Sequence, residues 1–237
     1  MISIIIPVYN QAIRLIKTLT SIASQTYQNF EVIIVNDGSH DGVEKVFAQY
    51  YQKLATEINY LFINQPNRGA PAARNRGFLE ARGEYLFFCD ADVVLEPNAL
   101  EAMVGALEQN SQASYAYSAF KWGHKLFKVG EFDSERLKRE PYINTMSLIR
   151  RVDFPANGWD ETLKKFQDWD LWLTMLEAGK VGQYISQVLF TVATGGTISS
   201  WLPSFAYKLL PFLPRVKKYQ AAKKIIQIKY GFSDSKK

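Results

Sequence analysis

Short apolar runs alternate with helical patterns through the first 92 residues of this chain, and this alternation restricts the possible folds most strongly. The runs are rich in β-branched or aromatic residues and cover 2–6, 31–35, 60–63 and 84–89. The segments between them carry apolar side chains at helical spacing and cover 11–24, 41–54 and 69–81. Such alternation is typical of βαβ units. We therefore predict an α/β fold with a parallel or mixed sheet flanked by helices.

The second half of the chain is less regular. Its patterns predict helices over 97–109 and 168–178 and strands over 113–129 and 142–149. From Trp201 onward the composition changes to an apolar stretch with three prolines, followed by a basic, helix-like segment. We therefore divide the chain into a main domain, residues 1–200, and a basic, partly apolar C-terminal helical tail, residues 201–237.

Charge is distributed unevenly between these two parts. The net charge is +5, but residues 201–237 hold nine basic residues and one acidic residue, which leaves 19 basic and 22 acidic residues in 1–200. A basic tail on a slightly acidic body favours an anionic partner. The acidic body and the lack of a binding motif argue against nucleic acid. Because the tail also has many apolar residues, we predict that it contacts an anionic membrane surface. The alternative is that its apolar part packs on the main domain.

Two further features bear on the cellular compartment. Cys89 is the only cysteine, so no disulfide can form within the chain, as is usual in a reducing compartment. The N-terminal residues lack the basic segment of a secretory signal. We expect a cytoplasmic protein that associates with the inner face of the cell membrane.

Polar residues follow the predicted strands at the points where the strands end. These residues are Pro7-Val8-Tyr9-Asn10, Asn36-Asp37-Gly38-Ser39, Asn67-Arg68-Gly69 with Ala73-Arg74-Asn75, and Asp90-Ala91-Asp92. Ligands of open α/β sheets bind outside the carboxyl ends of the strands. The sequence therefore predicts a binding site at this edge of the sheet.

Three of these segments suggest a specific chemistry. Asp90 and Asp92 project to the same side of a strand end and suit a hard divalent cation such as Mg²⁺ or Mn²⁺, although a solvated acidic turn has the same pattern. Asp37 is either a turn residue or an acceptor for the N–H of a pyrimidine base. Arg74 lies either on a solvated helix face or in a diphosphate clamp, because a guanidinium group can bind two phosphate oxygens at once.

Together these segments resemble the family 2 glycosyltransferases, which are inverting enzymes with the GT-A fold. Further matching segments are Gly83-Glu84-Tyr85, Gly158-Trp159-Asp160-Glu161 and Gln167-Asp168-Trp169-Asp170-Leu171-Trp172, so that the resemblance covers about residues 1–200. The resemblance implies roles for seven residues: Pro7 and Tyr9 line the base pocket, Asp37 accepts from the base, Asp90 contacts the ribose, Asp92 coordinates the divalent cation, Arg74 lies near the nucleotide, and Asp168 is the catalytic base. Trp159 and Trp169 are weaker candidates for contacts with the sugar or the acceptor, because large aromatic residues are more often core residues.

Two features depart from the family pattern. Gln167 stands where the family has an acid before the base. The segment 190–199 contains neither the arginine nor the histidine of the family's aromatic-Arg-x-His stretch. Both departures leave Asp168 in place. The alternative to a catalytic role for Asp168 is that it is a helix N-cap.

The sequence predicts an inverting, metal-dependent glycosyltransferase of the hexosyltransferase type. It would use Mn²⁺ or Mg²⁺ and move one sugar from a nucleotide sugar, most simply a UDP-sugar, to a glycan or a lipid-linked acceptor in cell-surface polysaccharide synthesis. The alternative is a catalytically silent nucleotide-sugar-binding partner of another transferase. Gln167 and the segment 190–199 favour this alternative, whereas the presence of both Asp92 and Asp168 opposes it.

Overall fold

The computed structural model describes residues 1–52, 58–194 and 212–232. Over these ranges the elements are β1 (Ile2–Val8), α1 (Ala12–Ala23), β2 (Phe30–Asp37), α2 (Val43–Tyr51), β3 (Asn59–Gln65), α3 (Ala70–Glu80), β4 (Tyr85–Phe88), β5 (Val93–Leu95), α4 (Ala99–Gln109), β6 (Ala113–Trp122), β7 (Lys125–Phe127), α5 (Ser134–Arg139), β8 (Leu148–Arg150), α6 (Gln167–Glu177), β9 (Val181–Val192) and α7 (Pro214–Lys229). Strands and helices alternate up to β4 as the sequence predicts, and the α/β class is confirmed.

One mixed sheet runs through the described part of the molecule in the order β3-β2-β1-β4-β8-β6-β9-β5, and β7 pairs with β6. β1 lies parallel to both β2 and β4, and β3 lies parallel to β2. β8 pairs antiparallel with β4 and with β6. The four parallel strands therefore end at one edge, where the predicted site residues follow them.

Helices cover both faces of the sheet, which explains why β1 is apolar at every position except Ser3. On one face Ile4 packs in a cluster with residues of α1 and α4, and on the other face Ile5 packs with Ala73 of α3 and with residues of α6. Helix α3 approaches the sheet closely because it has small residues there. A Cβ atom on Gly77 would lie 2.5 Å from Cγ2 of Ile5. Arg74 lies three residues before Gly77, so this close packing determines how far Arg74 is from the ends of the strands.

The second half differs in detail from the prediction. Residues 113–129 contain the hairpin β6–β7 rather than one strand, because Gly123 turns the chain with φ 56°. Only Leu148–Arg150 of the predicted strand over 142–149 lies in the sheet. Strand β9 was not predicted, because its first eight residues are half-buried or exposed and show no regular alternation.

Helix α7 of the tail packs on the main domain. Val216 and Ile226 are 0% exposed, and Ile226 belongs to the same apolar cluster as the core residues of α6. The ring of Tyr219 meets that of Phe166 edge-on, with 5.0 Å between centroids. The basic helix of the tail thus packs on the main domain, while most of the apolar stretch that the packing alternative concerns, and the predicted boundary at residue 200, lie outside the described residues. Among the described helices, none has both the length and the apolar character that a membrane span requires.

Candidate active site

Asp37, the last residue of β2, is buried and fixes the loop between β3 and α3. Its Oδ1 accepts from Gln65 Nε2 and from Arg68 N, each at 2.8 Å, and its Oδ2 accepts from Gly69 N at 2.8 Å. A carboxylate can accept about four hydrogen bonds. Asp37 therefore shapes the start of α3 and still has one acceptor position to offer.

Asp90 and Asp92 follow β4, and each carboxylate lies beside an arginine. Arg74 Nη2 is 2.8 Å from Asp90 Oδ1, and Arg14 Nη1 is 3.5 Å from Asp92 Oδ2. Burial raises the pKa of Asp92 and the charge of Asp90 raises it further, while Arg14 lowers it. The two carboxylates are thus close enough to repel each other, which is an electrostatic arrangement that a cation relieves.

Arg74 connects this acidic pair with the start of α6. Besides its contact with Asp90, it donates from Nη1 to Gln167 Oε1 at 3.3 Å, and its Cζ lies 4.6 Å from the centroid of the Trp159 ring. The side chain of Arg74 is 7% exposed. Arg74 Nε and Trp159 Nε1 are buried and have no hydrogen-bond partner among the described residues. Because a buried donor without a partner costs stability, these N–H groups are candidates for contact with a ligand.

Asp168 lies in the first turn of α6. The helix begins at Gln167, after Phe166 in a left-handed conformation with φ 60°. The alternative prediction that Asp168 is the N-cap is therefore wrong; its Oδ1 instead accepts from Trp169 N at 2.9 Å. Burial raises the pKa of Asp168, the Trp169 amide and Arg74 lower it, and Asp90 raises it. Asp168 lies in the same site as Arg74 and Asp90, because Arg74 hydrogen-bonds both to Asp90 and to Gln167, the residue before Asp168.

The turn 158–161 forms a wall of this site and is held by α3. Asn75 Oδ1 accepts from Trp159 N at 2.8 Å, and Asn75 Nδ2 donates to Trp159 O and Glu161 Oε1 at 2.9 Å. Arg68 Nη2 donates to Glu161 Oε2 at 2.9 Å. Gly158 has φ 65°, and a Cβ atom there would overlap Asn75 Oδ1. The glycine therefore allows the close approach that keeps Trp159 beneath Arg74.

The remaining predicted residues lie at the same edge or below it. Pro7 is buried in β1, and Tyr9, just beyond that strand, is 46% exposed. Trp159 is 2% exposed and Trp169 is 0% exposed, and Trp169 donates from Nε1 to Leu137 O at 2.6 Å. Burial favours a packing role for both tryptophans, and their assignment as sugar contacts stays a prediction.

Sequence reasoning did not single out Arg14, Asn75 or Glu161. Arg14 lies in α1, far along the chain from its partner Asp92, and its position in a helical pattern gives no signal of that contact. Asn75 and Glu161 are 86 residues apart, and each belongs to a segment that the family resemblance includes. The sequence signal that could have identified them is a polar side chain close in sequence to Arg74 or Trp159.

Comparisons with known proteins agree with this fold. The profile of the family described as "Glycosyl transferase family 2" matches residues 3–155. An uncharacterised glycosyltransferase of Rickettsia typhi is 30% identical over 197 residues, which covers 76% of this chain and 60% of the relative. One of Haemophilus influenzae is 30% identical over 189 residues, which covers 75% of this chain and 62% of the relative. The chain thus spans about 60% of the length of these curated relatives.

Solved structures share the architecture. Staphylococcus aureus TarS, residues 1–349, matches with a TM-score of 0.73 and 18% identity, over 99% of this chain and 66% of that chain. A mannosyltransferase from Pyrobaculum calidifontis, in complex with GDP-Man and Mn²⁺, matches with a TM-score of 0.70 and 15% identity, over 99% of this chain and 70% of that chain. At these identities the likeness shows the fold alone, which is the GT-A fold of these transferases. Since the family profile covers well over half of the sequence, from β1 to residue 155, the chain belongs to glycosyl transferase family 2.

Proposed function

We propose that this chain is an inverting, metal-dependent glycosyltransferase of the hexosyltransferase type. It moves one sugar from a nucleoside-diphosphate sugar to a hydroxyl group of a glycan or a lipid-linked acceptor in cell-surface polysaccharide synthesis. The observation that supports this most is that Arg74, at the carboxyl edge of the parallel strands, hydrogen-bonds both to Asp90 and to Gln167, the residue before the proposed base Asp168. A single displacement with inversion needs two parts. One is an acidic pair at the diphosphate end of the donor, and the other is a separate carboxylate beside the acceptor. In this proposal residues 1–200 are the catalytic domain and residues 201–237 are its tail.

A nucleotide sugar is the proposed donor, with a UDP-sugar as the first choice. Structures of TarS in complex with UDP and with UDP-GlcNAc share this fold, each with a TM-score of 0.70. The free acceptor position of Asp37 suits the N–H of a base, with Pro7 and Tyr9 at the end of the neighbouring strand. Asp90 is the proposed ribose contact, and Arg74 lies next to it.

The residues after β4 suit Mn²⁺ or Mg²⁺. Their donor set is a pair of carboxylates, and the part of the chain that the structure describes has no group of three or more His, Cys, Asp or Glu side chains placed to hold a metal. Mg²⁺ is commonly bound by one or two carboxylates, and substrate phosphates and water complete its coordination. Asp92 is the proposed ligand, and a cation there would neutralise the charge that develops on the departing diphosphate.

Asp168 is the proposed base, which accepts the proton of the attacking hydroxyl group. A positioned carboxylate typically contributes about 10²–10⁴-fold to such a step. The raised pKa of Asp168 makes it a stronger proton acceptor than a solvated aspartate, and Arg74 still favours the ionised form.

A catalytically silent nucleotide-sugar-binding partner of another transferase is the second candidate. Gln167 supports it, because the amide contacts Arg74 where the family has an acid. The segment 190–199 supports it less: Phe190 stacks on Phe120 within the sheet, and residues from 195 onward lie outside the described range.

A donor panel distinguishes the two candidates. Release of nucleoside diphosphate is measured with UDP-, dTDP- and GDP-sugars, with glycan and lipid-linked acceptors, and with Mn²⁺, Mg²⁺ or EDTA. A transferase releases the nucleoside diphosphate only when both an acceptor and a cation are present. The variant Asp168→Asn should release none under the same conditions. A silent partner binds a donor but releases nothing under any of these conditions.

We also propose that the exposed face of α7 lies on an anionic membrane surface. The side of the helix opposite Val216 and Ile226 exposes Lys217, Lys218, Lys224, Ile225 and Ile228. The two isoleucines are 55% and 71% exposed. Lysines beside exposed apolar residues suit the head-group region of a bilayer. This placement would bring the site close to the hydroxyl group of a lipid-linked acceptor.

A further inference from the structure

Lys229, the last residue of α7, bridges two acidic residues that belong to different walls of the site. Its Nζ lies 2.8 Å from Asp160 Oδ2 and 2.7 Å from Asp170 Oδ1. Asp160 belongs to the turn 158–161, and Asp170 lies on α6 two residues after Asp168. One ammonium group of the tail therefore ties the turn that supports Arg74 to the helix that carries the proposed base.

Tyr230 adds a second connection to the same helix. Its hydroxyl oxygen lies 2.8 Å from Asp170 O, 2.9 Å from Asp170 Oδ1 and 2.8 Å from Thr174 Oγ1. Asp170 is 4% exposed. A buried carboxylate depends on its partners, because an unpaired charge in the interior is strongly destabilising. The tail thus supplies the cation and the hydroxyl group that this buried acid requires.

The bridge is ionised around neutral pH. Burial opposes the charge of Lys229, but its hydrogen bonds to Asp160 and Asp170 outweigh that effect and raise its pKa. Burial also acts to raise the pKa of Asp160, but the hydrogen bonds from Lys229 and Thr162 outweigh it and lower that pKa. The lysine therefore stays a cation and Asp160 stays an anion over the range in which the protein would work.

We propose that Lys229 and Tyr230 form a clasp that positions Asp168 and the turn 158–161 relative to each other, so that the C-terminal helix supports the catalytic site directly. This inference rests on the proposed function. Both residues act through Asp160 and Asp170, and so they are positioning residues rather than catalytic ones. The contacts of Lys229 and Tyr230 described above reach Asp160, Asp170 and Thr174 but neither Asp37 nor Asp92, and Asp170 is two residues from Asp168, so we expect the clasp to affect the chemical step more than the binding of the nucleotide.

The experiment compares Lys229→Met, Tyr230→Phe and Lys229→Arg in the full chain. The matched control is Lys180→Met, which removes a 2.6 Å ion pair with Asp153, where the lysine side chain is 35% exposed against 38% for Lys229. A displacement of about 1 Å in a catalytic group can cost about a hundredfold in rate. We expect Lys229→Met to lower kcat by about ten- to a hundredfold, with the donor KM and UDP affinity unchanged. Lys229→Arg, which can still reach two carboxylates, restores most of the rate.

Three outcomes overturn the clasp: a kcat that neither Lys229→Met nor Tyr230→Phe lowers, an equal loss in the Lys180→Met control, or a loss of UDP affinity in proportion to kcat. If Lys229→Met does not fold, Tyr230→Phe is judged by the same criteria. Hydrogen exchange separates this inference from the proposed function, since it needs no turnover. If the wild type transfers no sugar, the clasp still predicts faster exchange in 158–161 and the first turn of α6 in Lys229→Met, but not in β1. Unchanged exchange there contradicts it.

Discussion

Asp168 is the residue at which the stability of the fold and the proposed chemistry oppose each other. Burial raises its pKa above the ordinary aspartate value, so its protonated form is favoured in the folded state. The stability that this preference contributes is present at low pH and is lost as the pH rises through the folded pKa. At neutral pH the ionised carboxylate therefore destabilises the protein, as is common for groups kept for function.

We expect Asp168→Asn to abolish transfer while the melting temperature at pH 7 stays equal or rises. The amide oxygen can still accept from Trp169 N, and the variant has no carboxylate charge that desolvation disfavours. Melting curves of both proteins between pH 4 and pH 8 should show the advantage of the variant shrinking toward acid. A lower melting temperature at pH 7, or turnover above about a tenth of the wild-type rate, would contradict the assignment, since the loss of a general base typically costs 10²-fold or more.

Asp92 carries the second prediction at this scale. The repulsion between Asp92 and Asp90 should be relieved when a cation binds, so nucleotide affinity should depend on both the cation and the side chain. Calorimetry of UDP binding to the wild type and to Asp92→Ala, each with Mn²⁺ and with EDTA, checks this. We expect strong binding in the wild type with Mn²⁺ and weak binding in the other three cases. Equal affinity in all four would remove Asp92 from the metal site.

Among the elements, α3 determines how the site is assembled. Its N-terminus is held by Asp37, its middle carries Arg74, and Asn75 clamps the turn 158–161. Three parts of the site that are distant in sequence thus share one helix as their support. A change that loosens the contact between α3 and the turn should therefore affect stability and the position of Trp159 together.

Gly158→Ala tests this contact, and Gly179→Ala is its matched control. Both glycines have positive φ, 65° and 73°, but a Cβ atom on Gly179 meets nothing within 4 Å, whereas on Gly158 it overlaps Asn75. The left-handed conformation alone costs an alanine about 1–2 kcal/mol, which corresponds to roughly 2–8 °C in melting temperature for a chain of this size. We expect Gly158→Ala to melt lower than Gly179→Ala and to lose transfer activity as well. Equal melting temperatures and equal rates would show that the clamp is dispensable.

The elements that the sequence predicted are those whose signal is local. The strands β1, β2 and β4 are buried on both faces, so they are largely apolar, and the residues after them fall at one edge by the rule for parallel strands. The contact of Asn75 with Glu161 and that of Lys229 with Asp160 join residues 86 and 69 positions apart. Such pairings depend on how α3, α6 and α7 pack, which a local pattern does not encode.

For the molecule as a whole, the described helix of the tail has two different sides. One side of α7 packs on the main domain through Ile226 and Lys229, and the other side presents lysines and exposed isoleucines. The sequence predicted the basic and apolar composition but not this division between the two faces. Deleting the tail would remove Ile226 from the apolar cluster around α6 and leave Asp170 without Lys229 and Tyr230, so a deletion cannot separate membrane attachment from support of the site.

Charge reversal on the exposed face separates them. Each lysine near an anionic leaflet contributes about 1 kcal/mol, so losing the contributions of three lysines should weaken binding by more than about a hundredfold. We expect the wild type to co-sediment with anionic vesicles at low salt and to be released as the salt rises. The triple variant Lys217→Glu, Lys218→Glu, Lys224→Glu should stay in the supernatant with its melting temperature unchanged.

The control variant replaces three exposed lysines of the main domain, Lys17, Lys45 and Lys121, with glutamate, and so changes the net charge by the same amount. If the control loses vesicle binding as fully as the tail variant, net charge rather than α7 governs attachment; if the wild type itself does not sediment, the basic face of α7 has no membrane role, and the tail acts only through its packed side.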